Sequence, residues 1–191
     1  MQPKMENKIN TNTLTSVMKN WQSDMLHFGK EILRPGKDYG LINGFDKPVL
    51  LKPGAEKLCK AYDLQIKNLD CVNEVFNLEK PFIDVTYKCV LSSKDGLNLG
   101  VCEGNANSEE PKFKYVYSRT NYKPPKSEAD KLKLEGKGRW LKSGNEWLWT
   151  EKRLNGEIIG QKNTIKKIAQ KRAFVGAVLM ATCTSEYFSQ D

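Results

Sequence analysis

The sequence predicts an α+β protein in which an antiparallel β-sheet carries a long C-terminal helix on one face and an amphipathic helix leads in from the N-terminus. Three observations lead there. Residues 82–91 alternate without a break, with Ile83, Val85, Tyr87, Cys89 and Leu91 on one side and Asp84, Thr86 and Lys88 on the other, as in a strand wet on one face. Residues 163–182, NTIKKIAQKRAFVGAVLMAT, hold no proline and are apolar at helical spacing. Near the start, Leu14, Val17, Met18, Trp21, Met25, Phe28 and Ile32 recur at three- and four-residue steps until Pro35-Gly36 stops them.

Taken in order, residues 1–12 show no pattern and are expected to be disordered, while residues 13–191 form one domain. The first helix, residues 13–33, packs through its apolar stripe. A short strand Tyr39–Ile42, a turn at Asn43-Gly44 and a second short strand Val49–Leu51 follow. A helix then runs from Pro53 to Tyr62, and proline suits a first helical position. Longer strands are read at residues 65–78, 82–91 and 97–103, the last two joined by a turn at Lys94-Asp95-Gly96. From Asn105 to Asn163 the chain is polar and broken by Pro and Gly; the part through Gly138 reads as a long loop or extension, and RWLKSGNEWLW as a short ordered hairpin.

The last helix should start on a capping Asn163 or Thr164. Ile165, Ile168, Ala169, Ala173, Gly176, Leu179 and Met180 form one stripe, with Lys167 and Lys171 opposite. Phe174 and Val178 lie on the far side, so the helix is apolar nearly all round in its second half. That predicts a second covering surface, supplied by another copy of the chain. Gly176 reads as a site of close packing. Arg172 falls inside the stripe, where it must meet a carboxylate or lie at an interface or ligand edge.

Several function classes drop out. Five scattered cysteines, no C-x-x-C and a single histidine, His27, leave no parts for a metal centre, a disulfide framework or a catalytic triad. The cysteines read as buried reduced thiols, and His27 as a surface or packing residue. The run GVCEG at residues 100–104 lacks the G-K-[ST] of a phosphate loop. Asp84, Glu103, Glu109 and Glu110 are not drawn together by any pattern that would suggest a metal nuclease. No enzyme, cofactor or metal is expected. The longest apolar run, Ala173–Ala181, is far short of the roughly 20 residues that span a bilayer, and MQPKMENKINTNT has no signal core, so a cytosolic protein without membrane contact is expected.

The net charge is +8, and seven of those charges lie between Pro111 and Arg153, where twelve Lys and Arg face five acids. The same window holds Phe113, Tyr115, Tyr117, Tyr122, Trp140, Trp147 and Trp149. Cations that pair with phosphate thus alternate with rings on which unpaired bases stack, a pattern suited to single-stranded nucleic acid. Within it Lys114, Arg119, Arg139, Trp147, Trp149, Lys152 and Arg153 are candidate DNA contacts. The polar face of the last helix adds Lys166, Lys167 and Lys171.

The strings DYGLINGFDKPVLLKPGAEKLCKAYDL, GRW, EWLW and NTIKKIAQKRAFVGAVLMAT, with FSQD after it, resemble phage and prophage recombination proteins. These are similar to the single-strand annealing superfamily named for the eukaryotic repair protein Rad-fifty-two. The resemblance covers most of residues 38–191. It implies a β-β-β-α core, assembly into rings or filaments, a basic groove that holds the DNA backbone with bases exposed for pairing, and no metal or nucleotide. It leaves room for other phage or host recombination or replication proteins as partners. A DNA-touching Lys-Arg-Ala of the eukaryotic branch matches Lys171-Arg172-Ala173 in one register, which makes Arg172 a further candidate contact. In another register it falls on Leu179-Met180-Ala181, and both registers stay open.

The function expected on these grounds is single-stranded DNA binding and annealing of complementary strands in recombination or repair. The alternatives are a passive single-strand-binding protein, and an adaptor or inhibitor whose basic face binds an acidic protein.

Overall fold

The computed structural model describes residues 11–190 except residues 43 and 45. Residues 1–10 of the segment expected to be disordered, and Asn43 of the expected turn, lie outside the described residues; residues 11 and 12 already belong to the first helix. That helix, α1, spans Thr11–Glu31, and its second half packs on the core. Met25 is buried and Trp21 and Phe28 rest against the core, while Val17 and Met18 stay exposed.

After α1, strands β1 (Tyr39–Gly40) and β2 (Val49–Leu50) pair antiparallel and lead into α2 (Lys52–Ala61). The KPGAEKL string is explained by the packing here. Pro53 sits in the first turn. A Cβ on Gly54 would lie 2.3 Å from the Asp38 carbonyl oxygen, so only glycine lets the helix approach. Ala55 and Leu58 are buried. Lys57 donates to the buried Asp38 carboxylate at 2.6 Å, and the Arg34 amide donates to the same oxygen at 2.8 Å. Burial pushes the Asp38 carboxyl upward, but the Lys57 and Arg34 hydrogen bonds outweigh it and hold the group below its ordinary value. A carboxyl depressed on folding stabilises the native state above its unfolded pKa, and that contribution is lost as pH falls through the folded value. Asp38→Asn is therefore expected to cost about 1–3 kcal/mol in urea unfolding at neutral pH. The difference from wild type should shrink in acid, and equal stability at neutral pH would refute this role.

The main sheet is a meander of β3 (Gln65–Asn77), β4 (Phe82–Ser92) and β5 (Asn98–Asn107), in the order β3-β4-β5. The alternation of β4 is realised: Ile83, Val85, Cys89 and Leu91 are fully buried. The turn before β5 places Gly96 at φ +81°. Helix α5 (Lys162–Thr182) lies over β4 and β5 and scarcely reaches β3. The inner face of β5 is a seam of small residues, Gly100, Cys102, Gly104 and Ala106. A Cβ on Gly104 would sit 2.2 Å from the Ala173 amide nitrogen, and one on Gly100 2.3 Å from the Ala177 carbonyl oxygen. Gly176 faces Cys102 in the same seam, as close packing requires.

Three expectations for α5 are corrected. No side chain caps its N-terminus, because the helix continues directly from a 3-10 turn at Ile158–Gln161. Met180, placed on the buried stripe, is 56% exposed. The far side of the helix is also covered within the chain: Phe174 and Val178 are buried in one cluster with Met25, Leu50, Leu58 and Phe188. The helix therefore supplies no argument for a second copy.

Residues 111–138 are not a loop. They form a short helix α3 (Pro111–Lys114), strand β6 (Tyr115–Arg119) and helix α4 (Lys126–Leu134). The expected hairpin is present as β7 (Gly138–Ser143) and β8 (Glu146–Leu154), and β6 joins it in a second antiparallel sheet, β6-β8-β7. Phe113 and Ile158, at the two ends of this module, pack on Ile83, Val85, Ile165 and Ala169. The cysteines are all free, but Cys71 and Cys183 are exposed, contrary to the expectation of buried thiols. Among the described residues no helix is long and apolar enough to cross a membrane.

Candidate nucleic-acid interface

Paired residues of neighbouring antiparallel strands share a face, so the register of the second sheet sorts its side chains. One face carries Tyr115, Tyr117 and Arg119 of β6, Arg139 of β7 and Lys152 of β8. The Arg139 guanidinium lies 3.9 Å from the Tyr117 ring centroid, and the Lys152 ammonium 4.1 Å from that of Tyr115. Arg119 donates to the Ser143 hydroxyl at 3.1 Å. Arg119, Arg139 and Lys152 are exposed, and with Lys112 and Pro111 this face encloses an open cleft of about 520 Å³. Cations stacked on rings are held in place while their outer faces remain open to a base or a phosphate.

The opposite face is a small core. Trp149 is 1% exposed, lies across Gly138, and meets Trp140 edge-on at 5.2 Å. It cannot stack on a base, which corrects its assignment as a DNA contact. Trp147, 58% exposed, remains accessible beside Trp140 and Lys133. Arg153 also points to this side and pairs with Glu151 at 3.4 Å, so it does not join Arg139 and Lys152.

The second basic surface is a groove of about 640 Å³ between α5 and β3, closed at one end by α2. It exists because α5 sits over β4 and β5 and leaves the inner face of β3 uncovered. Its floor is Ile66, Leu69, Ile168 and Phe174; Lys167 and Lys171 line it, and so do Lys52 and Glu56, paired with each other at 3.5 Å. Lys167 is exposed and Lys171 half-buried, and Ile168 of the predicted buried stripe joins them in the groove.

Three further candidates pair with carboxylates. Arg172 forms a two-pronged pair with Glu110, at 2.7 and 3.0 Å, and donates to the Asn105 carbonyl. Burial pushes Glu110 upward, but Arg172 and Lys112 overcome this and hold it below its ordinary value. Arg172 therefore joins α5 to the end of β5, as its position in the stripe demanded, and is removed from the DNA contacts. Lys114 pairs with Glu109. Lys166 pairs with Glu74 of β3 at 2.7 Å, which raises the pKa of the lysine and lowers that of the acid.

Tyr115 and Tyr117 were noted only as part of an aromatic window, although YVYSR alternates at a period of two and so places both rings beside Arg119. Among the described residues no group of three His, Cys, Asp or Glu side chains is arranged to hold a metal ion. In comparisons with known proteins, no family model, curated protein or solved structure matched the chain.

Proposed function

We propose that the protein binds single-stranded DNA and anneals complementary strands, acting as a homo-oligomer in the cytoplasm, that of a bacterial host if the gene is phage-borne. The observation that carries this reading is the open face of the second sheet, where Arg119, Arg139 and Lys152 converge with Tyr115 and Tyr117. Three cations drawn from three strands share that face with two rings, and two of them, Arg139 and Lys152, lie on those rings. Such a surface neutralises phosphate and offers flat groups to unstacked bases. The groove lined by Lys167 and Lys171 supplies a second cationic surface, and two surfaces suit a protein that brings two strands together. Self-association draws support from β3, an edge strand of 13 residues with Ile66, Val72, Val75 and Phe76 exposed. Strand pairing itself supplies the driving free energy, so no nucleotide or metal is called for.

The deciding experiment is a fluorescence annealing time course with two complementary oligonucleotides. Acceleration by the protein supports the reading. Slowing would make it a passive single-strand binder, and failure to shift a random oligonucleotide at moderate salt would leave only the adaptor alternative. Lys167→Ala with Lys171→Ala is expected to reduce DNA affinity and to flatten the dependence of log affinity on log salt by about 1.4, or about 0.7 per lost phosphate contact. An unchanged slope would remove the groove from the binding surface.

A further inference from the structure

Beyond the residues that line the groove, α5 and β3 are joined by an ion pair. Glu74 lies on the inner face of β3, the face that carries Ile66 and Leu69 of the groove floor. One of its carboxylate oxygens meets the Lys162 ammonium at 3.0 Å, and the other meets that of Lys166 at 2.7 Å. Two oxygens divided between two ammonium groups match the pattern that the two non-bridging oxygens of a phosphodiester would present. Lys162 also lies 4.2 Å from the Phe76 ring centroid, which steadies it from below and sets an accessible ring beside it. All three charged side chains are partly solvated, between 27% and 38% exposed. An ion pair this exposed contributes little to stability, so another anion can exchange for the carboxylate at small cost.

We propose that Lys162 and Lys166 form a phosphodiester subsite in line with the groove, and that Glu74 holds the place of the phosphate until a DNA strand displaces it. The inference rests on the reading of the protein as a single-strand binder. It adds two phosphate contacts to those of Lys167 and Lys171 and makes Glu74 the residue that limits affinity. A carboxylate in this position also screens four lysines crowded into three turns of helix when no DNA is bound.

The test measures binding of a fluorescein-labelled oligothymidylate to the full chain by anisotropy over a salt series. Glu74→Gln keeps the size of the side chain and removes its charge. It is expected to tighten binding roughly tenfold at low salt, because the strand no longer has to displace a carboxylate, with a salt slope close to that of wild type, whose complex makes the same phosphate contacts. Glu79→Gln, an equal change of charge in the exposed turn after β3, should leave both quantities near wild type. Lys162→Ala with Lys166→Ala should abolish the gain in the Glu74→Gln background and cost much less in the wild-type background. Glu74→Asp, too short to reach both lysines, should show a smaller gain and keeps the test open if the Gln variant folds poorly.

Binding by Glu74→Gln that matches wild type, falls below it, or exceeds it equally without the two lysines would overturn the subsite. A carboxylate that merely pins the start of α5 would give the second of these results, together with a lower melting temperature. If neither wild type nor Glu74→Gln binds the oligothymidylate, the single-strand reading itself fails. If wild type binds and Glu74→Gln gains nothing, only the subsite does.

Discussion

A variant carrying Arg119→Ala, Arg139→Ala and Lys152→Ala is expected to lose roughly a hundredfold in affinity for single-stranded DNA at moderate salt, with a salt slope flatter by about 2. The three side chains share one face of the second sheet and are exposed, so their removal takes away charge without opening a core. The melting temperature should stay near that of wild type. Tyr117→Ala in the otherwise wild-type chain should cost about 1–3 kcal/mol of binding, because the ring is the support on which Arg139 is stacked and on which a base can continue the stack. Salt titrations of anisotropy distinguish the charge effect from the ring effect. An unchanged slope in the triple variant would mean that phosphate does not reach this face, and the proposed function would lose the observation that carries it.

Trp149→Ala and Trp147→Ala are expected to behave in opposite ways, although the residues lie two apart on one strand. Trp149 is buried against Gly138 and Trp140, and its truncation should cost about 3–5 kcal/mol of stability in chemical denaturation. Trp147 is mostly exposed, so its truncation should leave stability near wild type and weaken binding by about 1–3 kcal/mol if a base stacks there. Should the two variants unfold alike, the second sheet is not the independently packed unit that the burial of Trp149 describes.

The β4 strand and the long helix were legible because each obeys one period over ten or more residues, and burial follows that period at Ile83, Val85, Cys89 and Leu91. The second sheet was not. Strand β6 has only five residues, and α4 buries only Ala129 among its nine, so neither shows a periodic apolar signal against a charged background. A sequence also shows that a helix must be covered without showing what covers it. Phe174 and Val178 are met by α2 and Phe188 of the same chain, and the need for a partner was inferred where only a distant segment was needed. The basic site was half visible for a related reason. Charge type is written in the sequence, but pairing is not: Arg172 and its acid Glu110 are 62 residues apart. Lysines that looked equivalent on one helix thus differ in place: Lys167 and Lys171 line the groove, and Lys166 reaches Glu74 of β3. The strings KPGAEKL and KIAQKRAFVGAVL, which carry the family resemblance, proved to be mainly devices for packing α2 and α5.

The second sheet leaves the chain after β5 and returns just before α5, and its two ends are tied together where they leave. Asn155 donates through its side chain to the Phe113 carbonyl and through its backbone to that of Lys114, both at 2.9 Å, and the Arg172–Glu110 pair lies beside them. In polymer terms the module is a loop whose closure is settled at its neck. The entropy of closing a flexible loop grows only logarithmically with length, by about 0.6 kcal/mol for each doubling. The core of β3, β4, β5 and α5 is therefore nearly indifferent to how much chain is strung between Lys114 and Asn155, beyond the Phe113 that packs into it. Insertions or deletions there can reshape the tyrosine-lined face without disturbing the seam that seats the long helix, so the two basic surfaces are free to diverge at different rates.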